Sequence, residues 1–356
     1  MCWALRAMLA GCVAVMASPA DVRAEKSEGS RSAVSRLADV KSWGYQLQGV
    51  DPAEVANSPY DLVVIDYSRN GKEARRFTPA EVKIMQAKPD GSRRFVIAYM
   101  SIGEAEDYRF YWSRGWVEPA PIRQPTGGGA TPVLPENIET IRIPRLMAPL
   151  WLGRENESWR GNYHVRFWLP AWQDLIVHKP DSYLSRIMSA GFDGVYLDRV
   201  DAYYAIERDT ESAKDWMVSF VAEIAAVARQ RKPDWIVVAQ NAEELLAEQR
   251  YLGAIDAVAK EDLLYGGEGD GVRNSDGRIA QSLRKLMAAR ALGLPVLAVE
   301  YISDPKQIAR ANAELRERGI IPYFGPRGLD RLEVPKSAAA GQAVRPEVSP
   351  QPARDR

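Results

Sequence analysis

The sequence predicts an α/β fold: a (β/α)8 TIM barrel, one domain with a long insertion after the third strand. Three observations carry this reading: eight short, apolar, β-branched runs, amphipathic stretches between them, and one connection far longer than a βα loop. Strands alternating with helices imply a parallel sheet, and eight of them favour closure over an open doubly wound sheet.

Taken in order, the first strand is Trp43–Leu47 and the second Leu62–Tyr67. Leu62-Val63-Val64-Ile65 is continuously apolar, as a strand covered on both faces must be. Thr78-Pro79 before Ala80-Glu81 supplies an N-cap and a proline in the first turn of the next helix. The third strand is Phe95–Met100. From Ser101 to about Leu169 the chain shows little periodicity, with Gly127-Gly128-Gly129 and many prolines in its middle. Such long connections are usually functional, and this one rises from the face where barrel active sites form. The fourth strand is Gly194–Leu197. Met217, Phe220, Val221, Ile224, Val227 and Ala228 then fall on one helical face. Trp235–Ala239 and Ile255–Ala259 are the fifth and sixth strands. Gly266-Gly267-Glu268-Gly269-Asp270-Gly271 reads as a mobile loop, with a weak calcium site on Asp270, Asn274 and Asp276 as a remote alternative. Pro295–Val299 is the seventh strand. Asp304-Pro305 starts a helix that Gly319 closes, and Ile320–Phe324 is the eighth strand.

The ends read differently. Arg6, the apolar stretch Ala7–Ala17 and the small residues around Pro19 follow the order of a secretory signal, so residues 1–24 are expected to be removed after Ala20 or Ala24. Both cysteines, Cys2 and Cys12, lie inside that segment. Leu9-Ala10-Gly11-Cys12 also resembles a lipobox, which makes a lipid anchor at Cys12 the weaker alternative to a secreted or periplasmic protein. Residues 25–38 read as a flexible leader, 39–333 as the barrel and 334–356 as a tail too poor in large apolar residues to offset its ordering entropy.

The 356 residues carry 47 Lys+Arg and 47 Asp+Glu, a net charge of zero, which argues against nucleic acid as the main partner. No apolar run is long enough to cross a bilayer. With two histidines and no cysteine beyond the signal, a zinc hydrolase lacks ligands. No G-x-S-x-G or P-loop is present. His178 reads as a surface residue, and His164 as packed or solvated. No metal or cofactor is expected.

The strand ends carry the chemistry. Asp66-Tyr67, Ser101-Ile102-Gly103-Glu104, Asp198 with Asp201, Gln240-Asn241, Glu261-Asp262 and Glu300-Tyr301 all fall where strands reach the mouth of a barrel. Any one acid there could be a helix cap, but six strands doing so at one face point to an acidic cleft. Asp198 stands out because it ends an otherwise apolar strand, where a charge is costly unless paired or working. Two carboxylates suffice to cut a glycosidic bond without metal, thiol or histidine. The many aromatics assigned to the same face, Tyr45, Tyr108, Trp112, Trp116, Trp151 and Trp159 among them, would stack on sugar rings.

These segments resemble glycoside hydrolase family 114, the endo-α-1,4-polygalactosaminidases. The matching stretches include Trp43-Gly44-Tyr45-Gln46-Leu47, Ala98-Tyr99-Met100-Ser101-Ile102-Gly103-Glu104 and Gly191-Phe192-Asp193-Gly194-Val195-Tyr196-Leu197-Asp198. Gln240-Asn241, Glu261-Asp262-Leu263-Leu264-Tyr265-Gly266 and Glu300-Tyr301 continue the pattern, and the stretch from about Pro121 to Met147 departs from it. The resemblance implies a barrel cleaving α-1,4-linked galactosamine polysaccharide, with Asp198 as nucleophile or base and Glu261 as proton donor. Tyr45, Asp66, Tyr67, Glu104, Tyr108, Asp201, Gln240, Asn241, Glu300 and Tyr301 are then expected to bind a cationic amino-sugar substrate. A carbohydrate-binding or polysaccharide-export accessory protein without catalysis is the alternative.

Overall fold

A computed structural model of the chain describes residues 37–121, 140–205 and 210–334. The expected signal, all of the leader but Leu37 and Ala38, and all but the first residue of the tail lie outside the described residues, as does the middle of the insertion; Leu37 is buried against the barrel core.

Eight strands run parallel in chain order around one sheet. They are β1 (Trp43–Gln46), β2 (Leu62–Ile65), β3 (Phe95–Ser101), β4 (Gly194–Asp198), β5 (Ile236–Gln240), β6 (Ala257–Glu261), β7 (Val296–Glu300) and β8 (Ile321–Phe324). The indole N–H of Trp43 donates to the carbonyl of Ile321 at 2.9 Å, tying β1 to β8 across the seam. Helices Pro52–Asn57, Pro79–Met85, Tyr183–Ser189, Thr210–Arg231, Asp276–Ala291 and Pro305–Glu317 pack outside. The local signals act as expected: Thr78 and Glu81 form a reciprocal capping box, Asp304 caps the last helix, and Gly319 turns the chain at φ +68°.

Strands β4 to β7 each run one or two residues past their apolar stretch. Asp198, Gln240, Glu261 and Glu300 are the last residues of their strands, with backbones still in register with neighbours. Apolar patterning cannot register this, because the final side chains point to the mouth. The barrel interior is aromatic: Trp43, Tyr45, Tyr196 and Tyr323 are fully buried, with ring centroids 5.1–6.3 Å apart. Trp43 thus belongs to the core.

The described part of the insertion after β3 is not irregular. Glu104–Glu106, Asn162–Val165 and Leu152–Glu155 form an antiparallel three-stranded sheet, and Val117–Pro121 pairs with Thr140–Pro144 as a hairpin. Most aromatics read as sugar platforms are its core. Trp112 lies on Tyr163 at 4.5 Å, Trp151 on Trp172 at 4.8 Å and Trp116 on Trp151 at 5.5 Å. The glycine-rich stretch after β6 is also ordered, as a hairpin pairing Tyr265–Gly266 with Gly269–Arg273.

Candidate active site

At the C-terminal ends of the strands lies a cleft of about 660 Å³. Tyr45, Asp66, Glu104, Tyr108, Asp198, Gln240, Asn241, Glu261 and Tyr301 line it, all of them predicted from the sequence. Its centre is the pair on β4 and β6. The side-chain nitrogen of Gln240, between them on β5, donates to Asp198 Oδ1 at 2.7 Å and to Glu261 Oε2 at 2.7 Å. The two carboxylate oxygens therefore lie no further apart than twice that distance.

Each carboxylate has its own set of donors. Asp198 accepts from the Tyr99 hydroxyl at 2.7 Å and from the Arg199 backbone N–H at 2.7 Å. Glu261 accepts from the Tyr301 hydroxyl and from the Asn241 amide at 3.3 Å. Asn241 is fixed in turn by the Glu261 N–H and Lys260 Nζ, each 3.2 Å from its Oδ1. Burial pushes Asp198 up to about 6, against the opposing pull of Tyr99 and Arg199. Burial, then the charge of Asp198, pushes Glu261 up to about 7. A proton on one carboxyl thus favours charge on the other, the arrangement that separates an acid from a nucleophile.

The turns that follow are held in an unusual backbone state. Arg199, Asn241, Ala242 and Asp262, directly after β4, β5 and β6, all have φ between +51° and +59°. Left-handed backbone at non-glycine residues costs about 1–2 kcal/mol each and clusters at functional sites. Here it turns the chain sharply enough for strand-end side chains to converge.

Three predicted site residues are not brought into the cleft lining. Glu300 is fully buried, and both its oxygens accept backbone N–H groups, from Leu264 at 2.8 Å and Tyr265 at 3.0 Å. It braces the loop after β6. Tyr67 is buried beneath the mouth, against Tyr183 at 5.1 Å, with its hydroxyl turned to Glu73. Asp201 faces Arg199 at 3.6 Å from the short helix after β4. His164 is half-buried, 3.6 Å from Glu104, and Asn274 spends its amide on the carbonyls of Asp262 and Leu263. Among the described residues, no group of three or more His, Cys, Asp or Glu could hold a metal.

Sequence reasoning counted Arg109 and Arg199 only as a partial offset to the acids of the mouth and assigned no arginine a site role. Arg109, completely buried, pairs Asp66 at 2.7 Å and grips Glu106 with two nitrogens at 2.6 and 3.0 Å. Arg199 reaches Glu104 at 3.2 Å. Arg327, just past β8, forks onto Asp262 at 3.0 and 3.1 Å and onto Asp270 at 2.8 Å, and lies over the Tyr301 ring at 4.6 Å. The strand-end logic applied to β8 would have reached Arg327.

The sequence profile of glycoside-hydrolase family GH114 matches residues 143–339. The chain is 32% identical to an uncharacterized protein of Thermotoga maritima, over 82% of this chain and 83% of that one. It is 33% identical to an uncharacterized protein of Deinococcus radiodurans, over 83% of each. Among solved structures, the glycoside hydrolase domain of PelA from Pseudomonas aeruginosa superposes with a TM-score of 0.57 at 20% identity, covering 82% of this chain and 97% of that domain, a likeness of fold. The profile match over more than half the chain and the extended identity to these relatives place this glycoside hydrolase in family GH114.

Proposed function

We propose that the protein hydrolyses α-1,4-linked galactosamine polysaccharide with retention of anomeric configuration. Asp198 is the nucleophile and Glu261 the acid and then base. The observation that carries this is the single Gln240 nitrogen bonded to both carboxylates, which holds one oxygen of each, Asp198 Oδ1 and Glu261 Oε2, no further apart than twice 2.7 Å. Retaining enzymes hold their carboxyls about 5–5.5 Å apart, whereas inverting ones need about 6.5–9.5 Å to fit a water. The galactosamine backbone and its linkage follow from the family resemblance. A polymer outside the cell suits the export signal read at residues 1–24.

In the first step Glu261 gives its proton to the glycosidic oxygen while Asp198 attacks the anomeric carbon. The carbon–oxygen bond breaks and a glycosyl ester forms. In the second step Glu261, now ionised, takes a proton from water. The resulting hydroxide displaces Asp198 from the same carbon, so two inversions give net retention. Tyr99, Gln240 and the Arg199 N–H keep Asp198 ionised and aimed, and burial with the Asp198 charge keeps Glu261 protonated near neutrality.

The test is Asp198→Asn and Glu261→Gln, assayed on a deacetylated galactosamine polymer with the product anomer read by NMR. Each variant is expected to lose at least about 100-fold in turnover, and the wild type to release the anomer it cleaved. More than about a tenth of turnover remaining, only ~1.4 kcal/mol of barrier, overturns that residue's role. Stability separates chemistry from unfolding. Both folded pKa values are raised, so each carboxyl favours folding while protonated, and that advantage is lost as pH rises toward 7. A neutral amide escapes the loss, and Tyr99 or Tyr301 can reverse its hydroxyl to accept from the new NH2. Each variant should therefore be as heat-stable as wild type at pH 8, or more stable by about 1–3 kcal/mol.

A further inference from the structure

The cleft does not end at Tyr108 and Arg160. Tyr108 also walls a second cavity of about 510 Å³, together with Trp112, Lys72 and Arg142. Arg160 also walls a third, of about 740 Å³, together with Asp107, Glu155 and Arg142. Asp107, Pro119 and Arg142 belong to both of these, so three depressions share walls in series from the carboxylate pair out over the hairpin of the insertion.

The path is furnished for sugar. Trp159 is 55% exposed and Tyr108 37% exposed, both on the cleft wall. Tyr108 is held rigid: its hydroxyl donates to Glu106, its ring lies 4.9 Å from the Arg109 guanidinium, and it packs over Gly71, where a Cβ would come within 2.3 Å of the ring. Fixed exposed rings offer apolar faces to the C–H faces of sugars at little entropic cost. Around the second cavity Lys72, Arg114 and Arg142 face Asp107 and Glu118, so acid is not in surplus there as it is at Asp198 and Glu261. A free ammonium gains nothing from such a wall. Hydroxyls and an N-acetyl carbonyl can accept from the guanidinium of Arg142, whose side chain is 54% exposed.

We propose that this path binds a distal, uncharged sugar ring of the same polysaccharide, such as an N-acetylated hexosamine, seated between Tyr108 and Arg142. The proposal rests on the hydrolase reading above and adds that the polymer leaves the catalytic pair over the insertion. Substrate is then read at two places: as amine at the carboxylates and as neutral ring at the hairpin.

The experiment uses the full chain carrying Glu261→Gln, titrated by calorimetry with partially N-acetylated galactosamine oligosaccharides of increasing length. Affinity should climb with length and show a final gain of about fivefold once the chain reaches the hairpin. Adding Arg142→Ala should remove that gain while leaving the affinity of short oligomers and the melting temperature unchanged, and Arg142→Lys should restore part of it. An affinity that stops growing at the shortest oligomers that bind, or a length series unaltered by Arg142→Ala, would overturn the proposal. Wild-type hydrolysis of the same series tests the underlying reading separately. Length-dependent binding without hydrolysis removes only the mechanism, and no binding at any length removes both.

Discussion

Tyr99 and Tyr301 each send one phenol hydrogen to a different member of the carboxylate pair, so they offer a way to move one titration and then the other. A bond to the charged form lowers a carboxyl's pKa, and removing it raises the pKa. In the proposed mechanism the acid limb of kcat/KM reports ionisation of Asp198 and the alkaline limb reports loss of the proton on Glu261. Tyr99→Phe should therefore move mainly the acid limb upward, and Tyr301→Phe mainly the alkaline limb upward, each by about one pH unit. A pH–rate profile checks this, and the reverse pairing would exchange the two roles. Asp198 was legible in the sequence because a charge ending an apolar strand demands an explanation. The same pattern at Glu300 produced a buried brace instead of a cleft residue. The difference lies in which backbone N–H groups happen to face that side chain, Leu264 and Tyr265, and those are brought to it only by folding. Gln240 was legible as a rim residue, but its bridging of two carboxylates from neighbouring strands was not.

Among the elements, the eight strands were readable because burial on both faces imposes a run of apolar residues, and the helices because of their caps. The insertion was not readable: its strands are short, and its pairing is antiparallel between segments far apart in sequence, such as Glu104–Glu106 with Asn162–Val165. Its aromatics looked like a binding surface since composition cannot distinguish rings facing sugar from rings facing each other. Two glycines test how closely these elements are fitted. A Cβ at Gly103 would lie 2.2 Å from the Arg199 carbonyl and 2.4 Å from the Ala202 Cβ, so the insertion's first turn is pressed against the turn that donates to Asp198. Gly103→Ala is expected to cost about 1–3 kcal/mol and to lower turnover as well. Gly277, exposed in the first turn of helix Asp276–Ala291, has nothing within 4 Å of an added Cβ. Gly277→Ala should stabilise by about 0.5 kcal/mol with activity unchanged. Denaturant midpoints with parallel assays measure both. A Gly103→Ala protein as stable and active as wild type would show that the two turns are not coupled.

At the scale of the whole molecule, a net charge of zero with seven acids at the strand ends suggested a strongly negative cleft. The structure distributes that charge differently. Arg109 neutralises Asp66 and Glu106 in part, Arg199 faces Glu104 and Asp201, and Arg327 clamps Asp262 and Asp270. These pairs join residues as far apart in sequence as Asp262 and Arg327, which is why a charge count could not foresee them. Among the described residues, the acids lining the cleft that are left without an ion pair are Asp198 and Glu261. A cationic sugar would then be recognised at contact distance, with little long-range steering from the rim. The two effects separate under salt, because screening at physiological ionic strength acts beyond about 8 Å and acts weakly on partly buried pairs. The prediction is that a galactosamine polymer with free amines is cleaved faster than the same polymer after chemical N-acetylation, and that kcat/KM on the free-amine form falls by no more than about twofold from low to 0.3 M salt. A steep fall would mean that the rim arginines release their acids in solution and the field extends across the mouth. Equal rates on both polymers would mean that the amine is not read at the carboxylate pair at all, and the substrate would then be a neutral polysaccharide.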